Sequence, residues 1–141
     1  MRTCHIWPRL QFVARAIGIV RKAVPQTQRP LRFLGDSQER IREFPEEVRE
    51  DIGAALMWAQ CGDKHPDTKP LSGFGGASVL EVVENHEGDT YRAVYTVRYA
   101  NVVYVLHCFQ KKSKKGSETP KHDINLIKER LRRAEELERR K

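Results

Sequence analysis

The sequence lacks the features that mark membrane, disulfide-bonded and metal-binding proteins. No apolar run approaches the roughly 20 residues that span a bilayer. The three cysteines lie far apart without a CxxC pair, which excludes a disulfide framework and favours a reducing compartment. His65, His86 and His122 show no spacing typical of metal ligands. We therefore expect a cytoplasmic protein with no metal, no cofactor and no membrane partner.

An excess of positive charge is also missing from most of the chain, although the formal net charge is +7. Seven of the 26 basic residues precede the first acid, Asp36, and the other 19 equal the 19 acids in number. The total charge therefore does not by itself indicate a nucleic-acid partner. Such a partner must be argued from local clusters of cations.

The first segment, residues 1–28, contains no acids and differs in composition from the rest of the chain. We expect it to be a basic tail that is disordered or lies outside the domain, or to derive from codons upstream of the true start. Leu10, Val13, Ala14 and Ile17 recur at helical spacing, so a short amphipathic helix is an alternative. One domain is then expected over residues 29–141.

The remaining pattern predicts an α+β domain in the order β-α-α-β-β-β-α, with a helical hairpin and a C-terminal helix packed on a small, twisted, mainly antiparallel sheet. A strand over residues 31–34 precedes two helices that end near residue 62. Residues 63–77 are predicted to be a loop, and its glycines are not followed by the GKS or GKT of a P-loop. Strands over residues 79–84, 91–98 and from 102 form a meander, and Thr119-Pro120 begins the last helix.

The last predicted strand runs into the densest group of lysines in the domain, Lys111, Lys112, Lys114 and Lys115. One interpretation is a solvated loop that protects a sheet edge. The other is a site for RNA, because the neighbouring Phe109 supplies an aromatic face, and stacking beside cations is how unpaired bases and their phosphates are held. We predict RNA contacts for these lysines and for Phe109.

His107 belongs to the same strand face. His107, Phe109 and Lys111 are two residues apart in sequence, so an ideal strand places them on one side, with Cys108 on the other. A histidine titrates near neutral pH and suits a general acid or base. The alternative is a hydrogen-bonded histidine in the core.

Arg92 joins this group in only one strand register. With a two-residue turn at Ala100-Asn101, Arg92 lies opposite Phe109 on the same face. With a three-residue turn it lies opposite Cys108, and the group is broken. The sequence leaves both registers open.

Two further charged residues flank this region in the sequence. Lys69, in the predicted loop, either reaches a phosphate or is an exposed lysine. Glu81 alternates with apolar neighbours on its strand, which predicts a side chain that faces solvent.

The motifs of the domain resemble those of phage-derived HigB-like toxins of the RelE/ParE superfamily, the phage gene product 49 family. The resemblance covers about residues 29 to 138 and follows the family order. The matching segments are RPLR at 29–32, FPEEVR at 44–49, KPLSGFGG at 69–76, YRAVY at 91–95, LHCFQKKS at 106–113 and TP at 119–120.

The resemblance implies a type II toxin with a helix-turn-helix, HigA-like antitoxin as its partner. The implied activity is an endoribonuclease that cleaves mRNA in the ribosomal A site by attack of a ribose 2′-hydroxyl on the adjacent phosphate. Arg92 matches the family arginine for phosphate contact, and Lys111 and Lys112 match the basic pair that binds phosphate and stabilises the leaving group. His107 is then the acid or base, and Lys69 a further cation or a contact to ribosomal RNA.

The chain departs from the RelE pattern at two points. No tyrosine follows Tyr104, and Glu81 stands where RelE carries a cation. The acid–base assignment is therefore open. Two alternatives to RNA cleavage also remain open at this point: a non-catalytic, ParE-like toxin that binds DNA gyrase, and an inactive phage remnant.

Overall fold

The structure, a computed structural model, describes residues 28–76, 78–111 and 119–141. Five strands and three helices occur in these residues. They are β1 (Leu31–Phe33), α1 (Ser37–Arg42), α2 (Glu46–Gln60), β2 (Thr68–Pro70), β3 (Val79–His86), β4 (Asp89–Thr96), β5 (Val103–Lys111) and α3 (Lys121–Arg139). Except for Gln28, the predicted tail over residues 1–28 lies outside the described residues.

The strands form one sheet in the order β1-β5-β4-β3-β2. Only β1 pairs in parallel, with β5, and the other three pairings are antiparallel. This confirms the α+β prediction of a mainly antiparallel sheet with helices packed on it. The prediction that residues 63–77 form only a loop is wrong, because Thr68–Pro70 makes the edge strand β2. A three-residue strand that ends in proline carries no periodic signal, and proline is tolerated at a sheet edge.

Each face of the sheet is covered by helices. On one face, Ile52 and Leu56 of α2 belong to a cluster with Val82, Tyr95 and Val105. The recurrence of apolar residues along α2 produces this contact, and Pro45 with the acids of the first turn favours its start.

The opposite face is covered by α3. Ile127 and Ala134 are its fully buried residues, and they pack with Val94, Tyr104 and Leu106 of the central strands. The two central strands β4 and β5 are therefore buried on both sides. Such strands read as nearly continuous apolar runs in the sequence.

A β-bulge in β5 sets which of its side chains face α3. Thr96 pairs with Tyr104, a register that would place Arg92 opposite Cys108 if it continued. Between Val105 and His107 the register shifts, so Leu106 has no partner on β4 and Arg92 pairs with Phe109. The extra residue of a bulge shifts every later pairing by one. The register with Arg92 opposite Phe109 is thus present, although a bulge rather than a two-residue turn produces it.

The Arg130 side chain of α3 fixes this bulge to the corner after β1. Its Nη1 donates to the carbonyl oxygen of Leu106 at 3.0 Å, and its Nη2 donates to the carboxylate of Asp36 at 3.0 Å. Gly35 lies directly beneath the guanidinium and has φ of +59°. A Cβ at this position would overlap the Arg130 side chain. Glycine therefore suits this position by its conformation, and it leaves room for the anchored guanidinium of Arg130.

We expect Gly35→Ala to lower the free energy of unfolding by roughly 1–3 kcal/mol, because a left-handed non-glycine residue is strained and the new methyl group displaces an anchored guanidinium. Chemical denaturation measures this loss. Gly62→Ala is the matched control, because Gly62 also has positive φ but has open space around it. Equal losses in the two variants would contradict a role for the Arg130 contact.

Candidate active site

A row of side chains crosses four neighbouring strands on the face that α3 covers. The row consists of His107 and Phe109 on β5, Arg92 on β4, Glu81 on β3 and Lys69 on β2. All but Lys69 are no more than 4% exposed. The structure therefore brings together five residues that are up to 40 positions apart in the chain.

Arg92 and Glu81 form a buried ion pair in the middle of this row. The Nη1 atom of Arg92 lies 3.1 Å from Oε1 of Glu81 and 3.3 Å from the hydroxyl of Thr119, which precedes α3. The prediction that Glu81 faces solvent is wrong, because its side chain is only 6% exposed. Glu81 alternates with apolar residues because β3 is packed on both faces, and that pattern looks the same as in a half-exposed strand.

Lys69 forms the outer end of the row. It pairs with Glu81 across β2 and β3, and its Nζ lies 3.9 Å from Oε2 of the same carboxylate. The lysine side chain is 59% exposed. Glu81 thus lies between a buried cation and an exposed one.

An open cleft of about 470 Å³ adjoins the Glu81 end of the row. Lys69, Leu71 and Glu81 line it from the sheet, and Thr119 and Ile124 line it from the start of α3. Its wall therefore combines an exposed cation, a carboxylate, a hydroxyl group and apolar surface. Such a mixture suits a ligand with an anionic group beside an apolar ring.

His107 is enclosed between two charged residues of α3. Its Nε2 lies 2.7 Å from Oδ1 of Asp123, and its Nδ1 lies 3.3 Å from Nη1 of Arg130. The tautomer with the proton on Nε2 satisfies both contacts, donating to the carboxylate and accepting from the guanidinium. The ring also stacks on Phe109, with centroids 4.9 Å apart.

Burial lowers the pKa of His107, against the opposing influence of Asp123. The imidazole is therefore neutral at pH 7. A neutral imidazole accepts a proton, so its protonation state suits a base better than an acid.

The other predicted site residues lie at or beyond the end of β5. Lys111 is the last residue of β5, pairs with Thr90 of β4 and is partly exposed. Lys112, Lys114 and Lys115 lie outside the described residues.

Sequence reasoning missed the contribution of α3 to this site. Asp123 and Arg130 are seven residues apart and share the buried helix face with Ile127. The sequence did carry a signal of this contribution, because Asp123 and Arg130 occur at helical spacing from the apolar stripe of α3. Charges at such positions indicate polar partners on the facing sheet, here His107 and the carbonyl of Leu106.

The opposite face of β3 has a different electrostatic character. Burial, followed by the nearby carboxylates of Asp51 and Asp67, raises the pKa of Glu84 to about 7. Among the described residues, no group of three or more histidine, cysteine or acidic side chains is placed to hold a metal ion. The crowded carboxylates therefore affect stability, because Glu84 gains or loses its proton near neutral pH.

We expect Glu84→Gln to raise the melting temperature at pH 8 and to change it little at pH 4. The folded protein holds a proton on Glu84 more tightly than the unfolded chain does, so stability is lost as pH rises from about 4.5 to about 7. Thermal melts across this range measure the effect. Glu43→Gln, at an exposed position of the helical region, is the control for loss of one negative charge. A pH-independent shift in Glu84→Gln would contradict the prediction.

Comparison with known proteins places most of the chain in one family. The family model of phage-derived Gp49-like proteins matches residues 39–132. No curated protein sequence matches the chain significantly. Among solved structures, the chain is similar to the toxin–antitoxin complex RelBE2 from Mycobacterium tuberculosis, with 14% identity, a TM-score of 0.41, and coverage of 63% of this chain and 98% of that one. Separately, no helix in the described part of the chain is long and apolar enough to cross a membrane.

Proposed function

Because the chain belongs to the Gp49-like family of phage-derived proteins, we propose that it is the toxin of a type II toxin–antitoxin system and cleaves mRNA on the ribosome. Its partners are then a helix-turn-helix, HigA-like antitoxin, the mRNA and the ribosome, and it acts in the cytoplasm. The observation that carries the proposal is the juxtaposition of Arg92 with Phe109 across β4 and β5. The two side chains together offer a cation for a phosphate and an aromatic ring for a base, the contacts by which unpaired RNA is commonly held.

The proposed reaction is an attack by a ribose 2′-oxygen on the adjacent phosphorus. A new bond forms between the 2′-oxygen and phosphorus and the bond from phosphorus to the 5′-oxygen breaks, which leaves a 2′,3′-cyclic phosphate. The 2′ proton passes to a base, and the departing 5′-oxygen takes a proton from an acid or from water. Arg92, Lys111 and Lys112 stabilise the negative charge that develops on the phosphate oxygens. Lys69, Lys114 and Lys115 bind the flanking RNA.

Access to Arg92 requires a movement at the start of α3. Arg92 is 3% exposed, and the Thr119 hydroxyl contacts its guanidinium. The cleft beside Lys69 reaches Glu81 and Thr119. A phosphate that enters this cleft therefore contacts Arg92 once Thr119 has moved aside.

We expect Arg92→Ala to lower kcat for mRNA cleavage on purified, programmed ribosomes by about 100- to 1000-fold, the usual cost of losing one donor to a developing anion. Arg92→Lys keeps a cation near Glu81 but loses the planar fork, and we expect a smaller loss. Thermal melts of both variants show whether the fold is kept.

The control is Arg98→Ala, because Arg98 lies on the exposed segment after β4. Full cleavage and growth arrest by folded Arg92→Ala would contradict the site assignment. Trapping of the gyrase–DNA cleavage complex without any RNA cleavage would contradict the nuclease activity itself.

We also expect His107→Gln to lower kcat by about 100-fold or more, if His107 is the general base. The loss of the wild-type rate on acidification should begin at a lower pH than for an ordinary histidine, because burial lowers the pKa of His107. The pH dependence of kcat measures this, with His122→Gln at an exposed position as the control. Normal kcat in a His107→Gln variant of reduced stability would assign His107 to the packing of α3 instead.

A further inference from the structure

We propose that Glu81 is a positioning residue of the site, whose carboxylate holds the Arg92 guanidinium in place beside the cleft. The inference rests on the proposed function for its kinetic consequence. Its structural part, the orientation of Arg92, stands on the geometry alone. Glu81 would thus act through Arg92 and would not itself take part in bond making.

The arrangement of the strands supports this role. Glu81 pairs with Val94, and Val83 pairs with Arg92, so the ion pair is diagonal across β3 and β4. The carboxylate reaches along the sheet to meet the guanidinium at 3.1 Å. It therefore constrains the end of a long side chain that has many rotamers of its own.

Folding alone does not account for a buried ion pair at this position. Its neighbours on the same face include Leu71 and Val94, which are apolar and buried. Replacing a buried pair by apolar residues of similar volume is often neutral or stabilising, because desolvation of the charges offsets their attraction. A pair that lies beside a cleft and includes a candidate phosphate ligand is better explained by the orientation it gives to that ligand.

The second oxygen of Glu81 serves the same arrangement. Oε2 faces Nζ of Lys69 at 3.9 Å, on the exposed side of the carboxylate. Glu81 therefore lies between two cations, with Lys69 on the wall of the cleft and Arg92 buried behind it. A phosphate that reached Arg92 would meet a guanidinium whose orientation is already set, which lowers the entropic cost of binding.

Three variants test the proposal. Glu81→Gln keeps an oxygen that accepts from Arg92, and Glu81→Met keeps the length of the side chain but no acceptor. The third is Glu81→Met combined with Arg92→Ala. Crystal structures give the position of the guanidinium, and cleavage on programmed ribosomes gives kcat and KM. Glu84→Gln, on the opposite face of the same strand, is the matched control.

We expect the guanidinium of Arg92 to stay in place in Glu81→Gln and to move in Glu81→Met. We expect kcat/KM to fall by about 100-fold in Glu81→Met, the loss typical of a displacement of about 1 Å, and by much less in Glu81→Gln. The double variant should be no worse than Arg92→Ala, because the two residues act as one unit.

An unmoved Arg92 in Glu81→Met would overturn the inference, whatever the activity. Additive losses in the double variant, or a loss in Glu81→Gln as large as in Arg92→Ala, would also overturn it and would give Glu81 a chemical role of its own. Absence of cleavage by the wild-type protein, with Arg92 displaced only in Glu81→Met, would refute the proposed nuclease function and leave the positioning role supported.

Discussion

The bulge at Leu106 is the constraint on which the arrangement of the site depends. Without it, the pairing that begins at Thr96 and Tyr104 would place Cys108 beside Arg92 and turn His107 and Phe109 toward the other face. One inserted residue exchanges these faces, because side chains alternate along a strand. At the bulge, the Arg130 side chain donates a hydrogen bond to the carbonyl oxygen of Leu106. A single contact from α3 thus supports the register that brings Phe109 opposite Arg92.

The order and class of most elements could be predicted from the sequence, because they depend on local patterns. The stripe of α2 and the apolar run of β5 each specify an element without reference to the rest of the chain. The edge strand β2 could not be predicted, since its three residues become a strand only by pairing with β3. The bulge escaped prediction for a similar reason: it lies inside an apolar run, and the contact that supports it comes from Arg130, 24 residues away.

The electrostatic surroundings of the site residues were harder to predict than which residues lie close together. His107 and Phe109 were placed on one face by counting residues and Arg92 joined them in one of two registers left open, but Glu81 was assigned to solvent. Glu81 and Glu84 occupy the same strand and have the same side chain. One is paired with Arg92, while the other is crowded by acids that raise its pKa to about 7. The two carboxylates differ because the fold gives them different neighbours, and the residue type alone does not predict these surroundings.

The way α3 is attached bears directly on access to the site. The helix α2 buries most of one face with apolar side chains, whereas α3 fully buries only Ile127 and Ala134. Ile124, Leu131 and Leu137 are partly buried against the same cluster, and Asp123 and Arg130 add polar contacts to His107 and Asp36. Elements with little buried apolar area open at lower free energy than the core does. We therefore expect α3, with fewer fully buried residues than α2, to open at lower free energy, and its Asp123 contacts the candidate base on β5. Movement of the first turn of α3 together with Thr119 would separate Asp123 from His107 as well, so exposure of Arg92 and release of the imidazole would then occur together.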